Sequence, residues 1–228
     1  MSLARVRVLP LALGAVAIAL LIALGVWQVE RRAWKLGLIA QVERRLAAAP
    51  IAAPGPAAWP TIGKDDAYTR VAVVGRYRPN ADTYTQAATD YGSGYWVITP
   101  LDTAGWTLLI NRGFVPIAER GRHPAPTGEQ RVTGLLRITE PGGGFLRSND
   151  PATDRWYSRD VSAIAAKRGL THVAPYFIDA DARGAGWPRG GLTVIRFPNN
   201  HLVYALTWFG LAALVAFLLA RSLRSDAD

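Results

Sequence analysis

The chain has 228 residues, half of them hydrophobic, with a formal net charge of +9, no cysteine and one methionine. That length admits one or two domains, and the lack of sulfur excludes disulfides, iron–sulfur clusters, thiol–disulfide exchange and the soft-ligand sites of copper carriers. The positive charge suits anionic lipid or an acidic partner, whereas the basic residues are too scattered to form a nucleic-acid footprint.

Residues 1–7 form a short tail carrying Arg5 and Arg7. Val8 to Trp27 is apolar and uncharged. It is long enough to cross a bilayer, too long for a signal-peptide core, and no convincing small-residue cleavage site follows it, so 8–27 is expected to be a retained transmembrane helix. Over 28–46 the helical spacing continues, with Trp27, Trp34, Leu38, Val42 and Leu46 on one face and arginines over much of the rest. This is expected to be an amphipathic extension, lying in the membrane interface or meeting a partner. Pro50, Pro54, Pro56 and Pro60 mark 47–66 as an Ala/Pro-rich linker or irregular loop.

Residues 67–200 alternate β-like runs with turn residues. Strands are expected at Thr69–Arg78, Thr83–Ala87, Tyr95–Leu101, Trp106–Asn111, Gln130–Thr139, Pro175–Asp179 and Leu192–Phe197. Asp160–Leu170 reads as a short helix, with Asp160 as its cap and Gly169 near its end. A second uncharged run, Leu202 to Ala220, rises about 28 Å as a helix, enough for a bilayer's hydrocarbon core. It gives a transmembrane helix over 201–220 and a tail over 221–228. The expected fold is a membrane protein with two transmembrane α-helices bracketing a β-rich α+β domain, a small antiparallel sheet or barrel. Two spans put both termini on one side. Arg31, Arg32, Lys35, Arg44 and Arg45 outnumber Arg5 and Arg7, so a bare positive-inside count puts the domain in the cytoplasm. Long loops translocate largely regardless of charge, however, and Arg221 and Arg224 favour a cytoplasmic tail.

No phosphate loop, metalloprotease helix or serine-hydrolase elbow is present. Gly92-Ser93-Gly94 and Gly142-Gly143-Gly144 read as hairpin turns. His123 is expected to be solvated and His172 to be a surface or turn residue. Asp150, Asp154 and Asp160 stand near Arg155 and Arg159, which suits an ion-pair network better than acid–base catalysis. His201 differs, because it stands at the mouth of the second apolar run, behind Asn199 and Asn200, which can cap the helix. His201, Tyr204 and Trp208 follow a spacing of i, i+3 and i+7. That face offers an imidazole to a haem iron above aromatic surface, or it is an interfacial polar residue with an aromatic belt.

The motifs Gly25-x-Trp27-Gln28-x-x-Arg31-Arg32-x-Trp34-Lys35, Gly94-Tyr95-Trp96-Val97-Ile98-Thr99-Pro100-Leu101, Asn111-Arg112-Gly113-Phe114-Val115-Pro116, Asn149-Asp150-Pro151 and Arg155-Trp156-Tyr157, with the run from Gly191 through Trp208, occur in order. As an ordered set they resemble the Surfeit locus protein 1 family, over nearly the whole chain. The resemblance implies a non-enzymatic assembly factor for cytochrome c oxidase of the respiratory chain, a chaperone that assists haem a delivery to the catalytic subunit. The alternative is a scaffold that holds an assembly intermediate without a cofactor. The resemblance also implies His201 as the candidate haem ligand, with Tyr204 and Trp208 as its neighbours and haem a bound transiently. Implied partners are the oxidase catalytic subunit, enzymes of haem a synthesis and membrane lipid. The resemblance also implies a central domain outside a bacterial inner membrane, in the periplasm, or in the mitochondrial intermembrane space; the short N-terminus, with no evident transit peptide, favours the bacterial placement.

Overall fold

Leu, Ala, Val and Ile dominate the first forty residues, and they form one continuous helix, α1 (Leu3–Ala47), about 67 Å long by helical rise. Pro10 lies in its third turn, where it removes one backbone hydrogen bond. The computed structural model describes residues 3–144, 146–193 and 198–225. These divide into two units, one of the terminal helices and one of the segment Val42–Val194.

The helical unit pairs α1 with a C-terminal helix, His201–Ser225. Both are long and apolar enough to cross a membrane, and most of their apolar side chains point away from the molecule. Between 11 and 35 on α1, and along the C-terminal helix, their less exposed positions follow a seven-residue repeat, with Ala17 the one addition. On α1 these are 11, 14, 18, 21, 25, 28, 32 and 35; on the C-terminal helix they are 201, 205, 208, 212, 215 and 219. Such a repeat keeps one seam facing the partner along the length of both helices. The helices run antiparallel: Gly14 meets Leu219, Gly25 meets Phe209, and Lys35 donates to the Pro198 carbonyl. A Cβ at Gly25 would lie 2.5 Å from the Phe209 ring. The small residues Gly14, Gly25, Ala205 and Ala212 thus allow the close approach that holds helices together in an apolar solvent.

The other unit is built on the strands β1 (Ile51–Ala52), β2 (Arg70–Tyr77), β3 (Thr83–Thr89), β4 (Gly92–Asp102), β5 (Thr107–Pro116), β6 (Glu129–Ile138), β7 (Gly143–Gly144), β8 (Arg147–Ser148) and β9 (Val173–Ala180). The order β2-β6-β9-β5-β4 returns to β2 through the pairs Arg76↔Asp102 and Tyr77↔Leu101, closing a five-stranded barrel-like sheet. β3 extends it beside β4, and β1 beside β2; β7 and β8 form a separate hairpin. The β5–β9 and β1–β2 pairs are parallel, and the other pairs are antiparallel. Leu108 and Ile110 of β5 join Tyr176 and Ile178 of β9 in one core, with Val71, Leu101 and Leu136. Leu109 and Phe177 point the other way, into a second core with Ile98, Trp156 and Ile164. Burial on both faces explains why these strands read as unbroken apolar runs. Ile164 belongs to α2 (Val161–Lys167), which is capped by Asp160 through the Ala163 amide and stopped at Gly169, at φ 60°.

The expected strands before β9 are all present, and β5 continues beyond the expected Asn111. Gly113, at φ 130°, carries it on to Pro116, and a Cβ there would lie 2.3 Å from the Arg189 carbonyl. Of the last expected strand, Leu192 and Thr193 are irregular, and 194–197 lie outside the described residues. The β3–β4 turn falls on Asp90 and Tyr91, one step before the glycines; Gly94 instead admits the Val115 carbonyl, 2.1 Å from where a Cβ would sit. The Ala/Pro-rich segment 47–66 is irregular but packed. It holds β1 and two 3-10 turns, Pro56–Thr61 and Lys64–Asp66. Trp59 and Ile62 lie against the barrel core, and Trp59 Nε1 (3.1 Å) and the Tyr176 hydroxyl (2.7 Å) both donate to the Pro54 carbonyl.

Candidate functional site

His201 is the first residue of the C-terminal helix, labelled α3 from here, and it is half-buried on the seam. Its Nδ1 lies 2.7 Å from Oε1 of Gln28, which is 9% exposed on the facing side of α1. An amide oxygen accepts, so in the neutral ring Nδ1 carries the proton and Nε2 keeps its lone pair. A metal-ligating histidine is typically prepared in this way: a hydrogen bond at one nitrogen fixes the ring and its tautomer, leaving the other nitrogen to the metal. Sequence reasoning quoted Gln28 only as part of a motif. The signal that finds it is the 3–4 spacing Gly25, Gln28, Arg32, Lys35, which puts a polar amide on a helix-packing seam.

Trp208 lies on the same seam two turns further along, and its buried indole N–H has no hydrogen-bond partner among the described residues. Tyr204 turns off the seam and is 53% exposed. The three spaced residues therefore divide, with His201 and Trp208 facing α1 and Tyr204 beside them on the outer surface. Asn200 accepts the Tyr204 amide through its backbone carbonyl, at 3.3 Å, rather than through a side-chain cap. On α1, Trp27 and Trp34 (52% and 51% exposed) and Leu38 face away from α3, and Arg31 stacks on Trp34 at 3.8 Å.

The β-rich unit uses its charges differently. Asp179, its side chain 6% exposed, accepts from Asn111 Nδ2 (2.7 Å), Arg137 Nη1 (2.8 Å), Arg159 Nη1 (3.1 Å) and Thr193 Oγ1 (2.9 Å). Glu140 completes the group at 2.5 Å from Arg159. Burial opposes the Arg159 charge, but Asp179 and Glu140 outweigh it and raise its pKa. The carboxylates expected to pair with neighbouring arginines find other partners. Asp154 binds Arg168 (2.8 Å) and Trp156 Nε1 (2.8 Å). Burial pushes its pKa up, yet these bonds and the nearby cations hold it below the ordinary value. Asp160 caps α2 and accepts the Gly142 amide; burial opposes its charge, and these amides lower its pKa. Asp150 closes a turn with Thr153, whose hydroxyl at 2.6 Å does most to lower its pKa. His123 is not solvated as expected: it is half-buried, 2.8 Å from Glu119. His172 is a turn residue at φ 52° before β9. Among the described residues no group of three His, Cys, Asp or Glu side chains could hold a metal ion.

The sequence motifs map onto supports of this fold. Asn111 holds Asp179 and, through Oδ1, the Gly113 amide (3.1 Å); Arg112 ties Asp82, Thr99 and the carbonyls of His123 and Pro124 together. Asn149 receives the amides of Tyr157 and Ser158. Residues 15–213 match the SURF1 family. The chain is 37% identical to Surfeit locus protein 1 of Rattus norvegicus over 86% of its own length and 69% of that protein's. The same protein of Homo sapiens is 35% identical over 86% and 71%, and a SURF1-like protein of Drosophila melanogaster is 31% identical over 88% and 73%. The coverage takes in the helix that carries Gln28, the barrel and the helix that carries His201. On these grounds the chain belongs to the SURF1 family.

Proposed function

We propose that this chain is a membrane-held assembly factor for cytochrome c oxidase, which takes up haem a at His201 and passes it to the catalytic subunit without catalysing a reaction. Family membership supports the first part, and the Gln28–His201 hydrogen bond carries the second. His201 Nε2 is the nitrogen that would hold the iron. Gln28 orients the ring, and Trp208 adds indole surface and an N–H with no partner among the described residues, deeper on the seam. Arg32 and Lys35, one and two turns beyond Gln28, offer cations to the carboxylates of a haem. The central domain is assigned to the periplasmic side of an inner membrane, with the oxidase subunit, haem a synthesis enzymes and lipid as neighbours.

The test is the visible spectrum of protein purified from cells that make haem a. His201→Ala should lose the bound haem, and Gln28→Leu should weaken it about ten- to hundredfold. Haem content unchanged in His201→Ala would refute the ligand assignment. A second reading, a scaffold without a cofactor, is favoured by the exposed face of Trp27, Trp34 and Leu38. It predicts that co-purification with the oxidase subunit survives haem depletion.

A further inference from the structure

β2 is antiparallel to β6, β6 is antiparallel to β9, and β5 is parallel to β9. β2, β5 and β9 therefore finish at the same end of the barrel. There, Tyr77 and the loops after β5 and β9 enclose a cavity of about 310 Å³. Barrel mouths are preferred places for small-molecule sites, and this volume is at the small end of their range of about 300–1,000 Å³. It admits one or two rings rather than a macrocycle, so the cavity is separate from the haem proposal.

Its walls are flat and apolar, formed by Tyr77, Trp187, Pro124, Pro126 and Pro188. Its charges are unbalanced: Arg112, Arg122 and Arg183 line it against one carboxylate, Asp181. Asp181 is already taken by Arg70 at 2.6 Å, and Arg112 is held by Asp82. Arg122 stands 3.9 Å from Glu119. Arg183 differs from these, because among the described residues it binds only neutral oxygens, Gln130 Oε1 at 3.5 Å and the Arg131 carbonyl. The Tyr77 hydroxyl finds no hydrogen-bond partner among the described residues, although its ring is nearly buried. Burial raises the Tyr77 pKa, so the phenol keeps its proton and can donate. An unpaired cation and an unpaired donor above flat apolar walls match an anion carried on a ring.

We propose that this cavity binds a small flat anion of the arene-carboxylate class, its carboxylate held by Arg183 and the Tyr77 hydroxyl and its ring by Trp187 and the prolines. The test uses the full chain in lipid nanodiscs and fluorine NMR of para-fluorobenzoate, with empty nanodiscs as background. Saturable binding is expected. It should weaken about tenfold in Arg183→Ala, as for a lost charged hydrogen bond, and severalfold in Tyr77→Phe. Neutral para-fluorobenzyl alcohol should not bind saturably, and inorganic phosphate should not displace the benzoate. No saturable binding above background, equal affinity in both variants, or displacement by phosphate at equal concentration would each overturn the proposal. Tyr77→Phe removes a single oxygen and keeps the packed ring, so it decides the matter if Arg183→Ala fails to fold.

Discussion

The helical unit and the β-rich unit place the same residue types in opposite positions. In the barrel, Leu, Ile and Val are inside, and polar side chains gather into saturated groups such as the one around Asp179. In the helix pair, most large apolar side chains face outward, and the seam mixes glycine and alanine with Leu11, Ile18, Leu21, Val215 and Leu219 and, near His201, with polar residues. The barrel gains stability by removing apolar surface from water. Between lipid-facing helices that driving force is missing, and close packing and hydrogen bonds replace it. A buried polar residue therefore has a different meaning in each unit. Among the described residues Asp179 has four hydrogen-bonding partners, whereas His201 has one, at Nδ1.

Asp179→Ala should test this contrast with the largest effect. It leaves Arg137 and Arg159 buried without their carboxylate, and urea unfolding should show a loss of about 3–5 kcal/mol. A loss under about 1 kcal/mol would mean that the group is not structural. In the helix pair, Gly25→Leu should cost about 1–3 kcal/mol through overpacking against Phe209. Faster amide exchange in α3 in nanodiscs would report it, while the outward-facing Leu24→Ala should leave exchange unchanged. The smallest effect is expected from Asp154, a partly exposed pair with Arg168 worth about 0.5–1 kcal/mol. Its folded pKa is depressed, so its contribution is present above the ordinary value of 3.8 and is lost as pH falls through the folded value. Asp154→Asn should remove that part of the acid limb of stability and leave the neutral region nearly unaffected in slope.

Most of the barrel was legible because its strands are bounded by turn residues and rich in β-branched and aromatic side chains. The parallel β5–β9 junction was not, since strand pairing is a non-local choice that no local pattern encodes. The packing of 47–66 was hidden for a similar reason: prolines signal irregular backbone, but not whether Trp59 and Ile62 find a core. At the candidate site, the mouth of an uncharged run singled out His201. Gln28 stands 173 positions away in sequence, and only the antiparallel pairing of the helices brings it within 2.7 Å. Tyr204 shows the limit of spacing rules, because residues three and seven apart diverge enough on a narrow seam for one to leave it.

Among the described residues β9 is the last strand to be made, yet it lies between β5 and β6. Without it, β2–β6 and β3–β4–β5 are separate pieces joined only through the two residue pairs of β2 and β4. During synthesis the barrel therefore stays open until β9 emerges, shortly before α3 follows. Until then both pieces expose sheet edges that invite mispairing, and slow closure over long sequence separations lengthens that interval. The order of the chain thus places the vulnerable period of folding just before its second apolar helix is made.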